Sequence, residues 1–260
     1  MGPDIHRNIS NQTLKSFNGY SAGFQKNYST RPESRIRQIW RNADAVCFDV
    51  DSTVCKDEAI DELAAYLGKG AEVAACTQRA MNGSMSFREA LRLRLEVMQP
   101  NLSEVRNYAE THEIALTPGI IELIENLHNR GTDVYLVSGG FRPLIIPVAQ
   151  RLGIPINRIY ANEILYHEDG SYAGFDINEL TSDSGNIQIG KAGVCGLLKK
   201  LHGYNKLVMI GDGATDAEAC PPADAFIGFG GNQVREAVRQ QAGWYVYDFE
   251  TLNSELDNTE

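Results

Sequence analysis

Carboxylates and short glycine-containing segments follow three apolar runs along the sequence. Asp49 and Asp51 come directly after the first run, Ser138 and Gly139 after the second, and Asp212 after the third. A carboxylate can attack phosphorus and form an aspartyl-phosphate, provided that donors neutralise the phosphoryl oxygens and an acid protonates the leaving alkoxide. These residue types therefore indicate transfer or hydrolysis of a phosphate ester.

Each group has a role that its chemistry permits. Asp49 is the candidate nucleophile, and Asp51 is near enough to protonate the leaving oxygen and later to activate water. The Ser138 hydroxyl and the Gly139 amide can donate to phosphoryl oxygens, and Lys191 supplies a fixed positive charge. Alone, a carboxylate pair is usually a loop feature and Lys191 a surface lysine. Together, at strand ends and in this chain order, they predict one site.

Two further acids, Asp212 and Asp216, come from a distant run but belong to the same predicted edge of a sheet. With Asp49 and Asp51 they make a cluster of four carboxylates. Carboxylates in close proximity repel one another, so one is protonated or a cation lies between them. Hard oxygen ligands suit Mg²⁺, which keeps several waters and takes few protein ligands. The sequence therefore predicts a magnesium site.

The apolar runs are continuous rather than alternating, which is typical of strands buried on both faces of a parallel sheet. Helical patterns separate them, so we predict a doubly wound α/β fold with a mostly parallel sheet. Ligands of such sheets bind at the carboxyl ends of the strands, where the polar clusters fall. The predicted strands cover residues 45–48, 134–137, 207–210 and 225–229, and the predicted helices follow Gly119 and cover residues 143–152 and 190–202.

Two insertions interrupt the alternation of strands and helices. After the first strand, apolar residues recur at helical spacing from Phe87 to Met98, which predicts a helical cap over the site. Later, residues 164–166 and 172–175 flank an Asp-Gly pair, a strong signal for a β-hairpin. We predict a basic, flexible N-terminal extension at residues 1–42 and an acidic C-terminal tail at residues 253–260. The core consists of residues 43–57 and 113–252, and the cap of residues 58–112 lies between these two parts.

Composition argues against several classes of protein. The formal net charge of −10 disfavours a nucleic-acid-binding surface, which would need clustered Lys and Arg. No apolar run approaches the ~20 residues that span a bilayer, so no membrane partner is expected. The five cysteines include no CxxC pair, which favours a reducing, cytoplasmic location. The basic, acid-poor N-terminal stretch fits either a disordered extension or an organellar transit peptide.

Four segments resemble a known family. The motifs of the haloacid dehalogenase (HAD) superfamily are similar to residues 49–53, residues 138–140, Lys191 and residues 211–216. Stretches outside these motifs resemble the phosphoserine phosphatases in particular, and this resemblance covers roughly residues 43–252. It implies a HAD-like Rossmannoid core, one Mg²⁺ per subunit and a homodimer. It also implies hydrolysis of O-phospho-L-serine through an aspartyl-phosphate, as the last step of serine biosynthesis.

The resemblance also implies roles for individual residues. Asp49 would be the nucleophile and a magnesium ligand, and Asp51 would be the acid and base, ligating the metal through its backbone carbonyl. Asp212 would complete the protein ligands, with Asp216 supporting it. The residues implied to hold the phosphoryl group or to lie beside the substrate are Ser138, Gly139, Lys191 and Thr215.

Selectivity is implied to come from the cap. Glu58 matches the acid that pairs with the substrate ammonium, and Arg94 matches the arginine that binds its carboxylate. Met81 with Asn82 matches the position that closes over the ligand, although Asn82 replaces the usual glycine. The loop at residues 184–190 also looks longer than in the family. Without the resemblance, Arg94 would be interpreted as an arginine snorkelling beside an apolar stripe, and Glu58 as an acid favoured by a helix dipole.

Two other functions fit parts of this pattern. One is action on another small phosphomonoester, or phosphoryl transfer to an acceptor alcohol, and Arg94 and Glu58 distinguish these cases from phosphoserine hydrolysis. The other is a receiver domain, which also places a phosphorylatable Asp, a hydroxyl residue and a Lys at the strand ends of a doubly wound sheet. Asp51 and the long cap insertion favour an enzyme that turns over a small ester.

Overall fold

The computed structural model of the protein describes residues 32–82 and 85–258, apart from the side chains of residues 80–82. Its strands are β1 (Ala45–Phe48), β2 (Asp133–Phe141), β3 (Ile159–Asn162), β4 (Ile164–Tyr166), β5 (Tyr172–Phe175), β6 (Leu207–Gly211), β7 (Ala225–Phe229) and β8 (Tyr245–Val246). Its helices are α1 (Glu33–Arg41), α2 (Ala59–Tyr66), α3 (Gly70–Asn82), α4 (Phe87–Met98), α5 (Leu102–Thr111), α6 (Ile120–Asn129), α7 (Arg142–Arg151), α8 (Gly190–His202), α9 (Ala214–Ala217), α10 (Glu236–Gln241) and α11 (Phe249–Leu256).

Six strands form one parallel sheet in the order β3-β2-β1-β6-β7-β8. The chain winds outward from β1 through β2 to β3 and then returns to β6 on the other side of β1. Phe48 at the end of β1 is level with Leu136 of β2 and Ile210 of β6. Because Phe48, Leu136 and Ile210 are level, the polar residues just beyond them emerge at one edge of the sheet, where the strand order reverses.

Alternate residues of β1 pack on opposite faces of the sheet. Val46 and Phe48 lie in a cluster with residues of α1, α6, α7 and α11, whereas Ala45 and Cys47 lie in a cluster with residues of α8. All four side chains are fully buried. Burial on both faces explains the continuous apolar run of β1, and the predicted doubly wound α/β fold is confirmed.

The two edge strands, β3 and β8, have no counterpart in the prediction. β3 reads Ile-Tyr-Ala-Asn, and β8 has two residues, so neither stands out as an apolar run. Pairing with β2 and with β7 defines them instead. Their positions depend on tertiary contacts that the local sequence does not show.

Helix α1 lies within the range predicted to be a flexible extension. Its Ile36, Ile39 and Trp40 are buried in the core, and the Trp40 indole N–H donates to the Leu252 carbonyl in α11 at 2.9 Å. The prediction is therefore wrong for residues 33–41, because apolar residues at i, i+3 and i+4 stand among basic ones and form an amphipathic helix. Residues 1–31 lie outside the described part of the chain.

The predicted acidic tail is also part of the core at its start. Helix α11 continues to Leu256, which is buried, and Glu255 is only 6% exposed. Glu255 forms ion pairs with Arg37 and, at 3.3 Å, with Arg41 of α1. The predicted boundary at residue 253 is therefore wrong, because α1 and α11 pack together over one face of the sheet.

We expect Trp40→Ala to lower the free energy of unfolding by about 3–5 kcal/mol, since it removes a fully buried indole and its hydrogen bond to Leu252. Urea unfolding followed by circular dichroism measures this change. The matched control is Ser34→Ala on the exposed side of the same helix, expected to change stability by less than about 0.5 kcal/mol. An unchanged midpoint for Trp40→Ala would show that α1 does not contribute to the core.

Helices α2 to α5 form the insertion after β1 and have a hydrophobic cluster of their own, which includes Leu63, Leu91 and Leu95. Strands β4 and β5 form the predicted hairpin, and Ile164 and Phe175 from it join the same cluster. The Leu102 N–H of α5 also donates to the carbonyl of Gly170 at the hairpin tip, at 2.9 Å. The cap and the hairpin thus pack as one layer, and both predicted insertions are confirmed.

Within residues 32–82 and 85–258, none of the helices combines the length and the apolar character needed to cross a bilayer.

Candidate active site

A tight turn follows β1 and directs two carboxylates toward the sheet edge. Asp49 is 7% exposed, and its backbone N–H continues the sheet by donating to the Ile210 carbonyl at 2.9 Å. Residues 50–54 then form a kinked turn, which the Cys55 N–H closes by donating to the Val50 carbonyl at 2.8 Å and in which Ser52 has a φ of 55°. A non-glycine residue adopts this region only where the surroundings hold it. The turn replaces the extended backbone that would have pointed Asp49 and Asp51 in opposite directions.

Asn232, which follows β7, holds this turn in place. Its side-chain Nδ2 donates to Thr117 Oγ1 at 2.7 Å. The same nitrogen lies 3.2–3.4 Å from the carbonyl oxygens of Ser52, Thr53 and Cys55. Sequence reasoning missed Asn232, although a polar residue just beyond a buried strand is the kind of signal that identified the other site residues.

Lys191 bridges two carboxylates of the site. Its Nζ lies 2.6 Å from Asp49 Oδ1 and 2.6 Å from Asp216 Oδ1. Burial alone lowers the pKa of Lys191, but the two carboxylates outweigh burial and raise it above its usual value. Lys191 is therefore a permanent positive charge beside Asp49, as predicted from its position at the start of α8.

The acids of the site are buried close together. Asp49, Asp212 and Asp216 bring carboxylate oxygens within 4.8 Å of one another. Burial, and then the charge of Asp216, raise the pKa of Asp49 well above its usual value. Burial, followed by the charge of Glu58, raises the pKa of Asp51 to about 6. The cluster thus carries more negative charge than its surroundings accommodate readily.

Arg235 is a second cation at the site, and sequence reasoning missed it. Its Nε donates to Asp212 Oδ2 at 2.6 Å, and its Nη2 lies 3.2 Å from Glu58 Oε1. Arg235 immediately precedes α10 in a stretch without a recognisable motif. The sequence signal that could have identified Arg235 is its position beyond the carboxyl end of β7, at the same edge of the sheet as Asp212. It connects an acid of the core to an acid at the start of the cap.

Glu58 precedes α2, and its side chain turns toward the site. It accepts hydrogen bonds from Ser52 Oγ at 2.8 Å and from Arg235. The side chain of Glu58 therefore contacts residues of the site and makes no capping hydrogen bond to α2, unlike the interpretation of Glu58 as an acid favoured only by the helix dipole. The predicted pairing of Glu58 with a substrate ammonium stays a prediction, and such an ammonium would share Glu58 with Arg235.

Ser138 and Gly139 lie near the carboxyl end of β2. Ser138 Oγ accepts a hydrogen bond from the Gly140 N–H at 2.9 Å and lies 3.4 Å from Asp51 Oδ2. A Cβ added at Gly139 would lie 2.6 Å from Cζ of Phe87 in α4, so any larger residue there would require the Phe87 ring to move. The cap thus touches the core at the segment predicted to bind phosphate.

Arg94 lies two turns along α4 from Phe87, on the same side of the helix. Its side chain is half-buried, and its Nε donates to the Ala90 carbonyl at 3.3 Å. Burial lowers the pKa of Arg94, while the charges of Asp61 and Glu58 oppose this shift. Among the described residues, no carboxylate oxygen lies within 4.0 Å of its guanidinium. Arg94 is therefore a half-buried cation without an ion pair in this part of the chain.

Three predicted site residues remain, Thr215, Met81 and Asn82. Thr215 is half-buried in α9, directly before Asp216, at the same edge of the sheet. Met81 and Asn82 end α3, and their side chains lie outside the described residues. Their predicted contact with substrate stays a prediction.

The arrangement can carry out phosphoryl transfer. Lys191 holds one oxygen of the Asp49 carboxylate at 2.6 Å. A second carboxylate of raised pKa, Asp51, lies 3.4 Å from the Ser138 hydroxyl at the end of the neighbouring strand. Nucleophile, charge stabilisation and proton transfer are thus supplied from three strand ends and one helix.

Comparisons with known proteins agree with this chemistry. A family model described as haloacid dehalogenase-like hydrolase matches residues 43–224. The chain is similar to rat phosphoserine phosphatase, with 49% identity over 224 residues that cover 86% of this chain and 98% of that one. It is also similar to the chloroplastic phosphoserine phosphatase of Arabidopsis thaliana, with 50% identity over 87% of this chain and 76% of that one. A solved structure of a phospho-aspartyl intermediate analogue of phosphoserine phosphatase aligns with a TM-score of 0.65 and 28% identity, over 83% of this chain and 99% of that one.

Proposed function

The chain belongs to the haloacid dehalogenase-like hydrolases, and on that basis we propose that it hydrolyses O-phospho-L-serine to L-serine and phosphate through an aspartyl-phosphate at Asp49. Its curated relatives carry the name of this activity. One observation supports an amino-acid substrate in particular. Arg94 is a half-buried cation, and its guanidinium has no carboxylate partner among the described residues. A substrate carboxylate would supply that partner, with the product L-serine entering amino-acid metabolism.

The two oxygens of Asp49 have different surroundings. Oδ1 accepts hydrogen bonds from Lys191 Nζ at 2.6 Å and from the Val50 N–H at 2.7 Å. Within the described residues Oδ2 accepts none, so it is the oxygen with lone pairs available to attack phosphorus. Lys191, the Ser138 hydroxyl and the Gly139 amide would stabilise the charge on the phosphoryl oxygens during the attack.

Asp51 fits the role of general acid and then general base. Its Oδ1 accepts a hydrogen bond from the Ala59 N–H at 2.8 Å, which leaves Oδ2 toward Ser138. With a pKa of about 6, Asp51 carries a proton in more molecules at neutral pH than an ordinary aspartic acid does. It would give this proton to the leaving serine oxygen and afterwards take one from the water that hydrolyses the aspartyl-phosphate.

The acids of the site fit a divalent cation. Buried carboxylates outnumber the two cations that contact them, Lys191 and Arg235. Burial, and then the charge of Asp216, raise the pKa of Asp49. We assign Asp49, Asp212 and the backbone carbonyl of Asp51 as ligands of one Mg²⁺ per subunit. When bound, the ion supplies positive charge for the phosphoryl oxygens.

Asp216 supports this site rather than completing it. Its Oδ1 accepts from Lys191 at 2.6 Å and its Oδ2 from the Gly213 N–H at 2.9 Å, so both oxygens already have partners. Asp216 thereby positions Lys191 beside Asp49 and fixes the turn that follows Asp212.

We expect Arg94→Ala to lower kcat/KM for phosphoserine about 10- to 100-fold, mainly through KM, because a charged contact of about 1.5–3 kcal/mol is lost. Phosphoethanolamine, which lacks the carboxylate, serves as the matched substrate, and its weaker hydrolysis should be unaffected by the substitution. Steady-state phosphate release measures both. Equal losses on the two substrates would contradict the assignment of Arg94 to the carboxylate.

The function itself is tested by a phosphate-release screen over phosphoserine, phosphothreonine, phosphoethanolamine and a nucleotide, with Mg²⁺ and with a chelator. We expect phosphoserine to be strongly preferred and all release to stop without the metal. Activity spread evenly over the panel would favour the alternative, a HAD phosphatase of broader or different substrate range. Phosphate transfer to an added alcohol in place of water would identify a phosphotransferase.

The cytoplasmic location and the homodimer stay predictions. Residues 1–31, to which the alternative of an organellar transit peptide refers, lie outside the described part of the chain. Microscopy of a tagged full chain and native mass measurement test location and assembly directly.

A further inference from the structure

The strand pairing of β2 with β3 is interrupted at the phosphate-binding segment. Val137 pairs with Tyr160, but the next paired residue on β2 is Phe141, opposite Asn162. Residues 138–140 therefore bulge out of the ladder, which removes their regular strand partners. The backbone groups of this bulge need other hydrogen bonds.

The side chain of Asn162 supplies one of these bonds. Asn162 is fully buried at the end of β3, and its Nδ2 donates to the Gly139 carbonyl at 2.8 Å. The same peptide unit is held at its other end, because the Gly140 N–H donates to Ser138 Oγ at 2.9 Å. The plane of the Gly139–Gly140 peptide is thus determined at both ends.

Holding this peptide also orients the Ser138 hydroxyl. Since Ser138 Oγ accepts from the Gly140 N–H, its own hydrogen is directed elsewhere, and Asp51 Oδ2 lies 3.4 Å away on the side of the site. A hydroxyl fixed in this way is a preorganised donor to a phosphoryl oxygen.

Thr181 completes the hydrogen bonding of the Asn162 amide. A carbonyl can only accept, so Nδ2 must face Gly139, and Oδ1 then accepts from Thr181 Oγ1 at 2.9 Å. Thr181 is 3% exposed and lies in the short turn Leu180–Ser182, ahead of the loop that leads to Lys191. The Gly139 carbonyl thus sets the orientation of the amide, and the Thr181 hydroxyl stabilises that orientation by donating to Oδ1.

We propose that Asn162 is a positioning residue for phosphoryl transfer: with Thr181 it orients the Gly139–Gly140 peptide, and through that peptide the Ser138 hydroxyl. The inference rests on the proposed function only in requiring a phosphate ester as substrate. It assigns a catalytic consequence to two buried residues that do not contact the substrate.

Three variants test it. Asn162→Asp keeps the shape but replaces the donor to Gly139 with an acceptor, Thr181→Val keeps the shape but removes the hydroxyl, and Thr181→Ser keeps the hydroxyl. Each is measured for kcat and KM on phosphoserine and on p-nitrophenyl phosphate, for inhibition by inorganic phosphate, and for thermal unfolding.

We expect Asn162→Asp to lower kcat about 10- to 100-fold on both esters and to weaken inhibition by inorganic phosphate about tenfold, because donors to the phosphoryl group are misaligned. Thr181→Val should lower kcat about fivefold, the effect of one lost hydrogen bond. Thr181→Ser should restore kcat to within about twofold of wild type.

The inference is overturned if folded Asn162→Asp and Thr181→Val proteins keep the wild-type kcat and phosphate inhibition. It is also overturned if activity falls only in proportion to the unfolded fraction, which is what a purely structural role predicts. Should Asn162→Asp fail to fold, the Thr181→Val and Thr181→Ser pair decides. Failure of the proposed function can be distinguished from failure of this inference. In that case the wild-type protein would hydrolyse p-nitrophenyl phosphate but not phosphoserine, and the variants would be compared on p-nitrophenyl phosphate.

Discussion

Asp49→Asn is expected to reduce kcat for phosphoserine by on the order of 10⁴-fold or more, since removal of a catalytic nucleophile has effects of this size in other enzymes. The amide has no charged oxygen to attack phosphorus. Its carbonyl oxygen can still accept from the Val50 N–H and from Lys191, which bind Oδ1 in the wild-type protein. The fold should therefore persist while turnover stops.

The control is an Asp–Lys pair at the opposite edge of the sheet. Asp224 contacts Lys199 at 2.7 Å and accepts from the N–H of Leu207, the first residue of β6. Asp224→Asn should leave kcat within about twofold of wild type, because its charge lies away from the reacting atoms. Retention of more than about one per cent of kcat by Asp49→Asn would contradict the assignment of the nucleophile.

Lys191→Met is expected to lower kcat by on the order of 10²–10³-fold, since it removes the charge nearest to Asp49 while keeping most of the side-chain volume. It should also destabilise the protein at neutral pH by about 3–5 kcal/mol, because two buried carboxylates lose their shared cation. Thermal unfolding in a chelator separates this effect from metal binding.

The destabilisation by Lys191→Met should depend on pH. Burial already raises the pKa of Asp49 and of Asp216, and loss of Lys191 raises both further. An acid whose pKa is raised in the folded state binds more protons there than in the unfolded chain, so stability falls as pH rises. The unfolding temperature of the variant should therefore lie closer to wild type at pH 5 than at pH 8.

Lys199→Met provides the matched control for this charge loss. Its partner Asp224 is partly exposed, so the pair is expected to contribute less than about 1 kcal/mol, with little dependence on pH. A Lys191→Met protein that is as stable as Lys199→Met at every pH, with unchanged kcat, would show that Lys191 does not neutralise the charge of the buried carboxylates.

The core of the site was predictable because its residues follow continuous apolar strands. Phe48, Leu136 and Ile210 are level in the sheet, so the next polar residues of each strand had to emerge together. That argument needs only strand positions and the rule that parallel strands share an edge. It correctly brought together Asp49, Asp212 and, through the start of α8, Lys191.

Residues that act through tertiary contacts were not predictable in this way. Asn162 ends a short edge strand, and its partner Thr181 lies in a turn with no periodic pattern. Arg235 and Asn232 follow β7 without a motif, yet they contact the acids and the turn after β1. Their roles depend on which segments meet in space.

The N-terminal helix was misjudged for a different reason. Basic side chains such as Arg37 dominate its composition, but Trp40 and its apolar neighbours follow helical spacing and are buried. Arg37 is itself part of the packing, since its guanidinium lies 4.3 Å from the ring centroid of Trp244. Composition averaged over residues 1–42 concealed that local pattern.

The most direct test of Asp49 as the nucleophile is to trap the acyl-phosphate. The wild-type protein is mixed with phosphoserine and Mg²⁺, quenched in acid during turnover and reduced with borohydride, which converts an aspartyl-phosphate to homoserine. Peptide mass spectrometry then locates the change. We expect homoserine at position 49 only in the substrate-treated sample. Homoserine at position 51, or no homoserine at any aspartate while phosphate is being released, would contradict the mechanism.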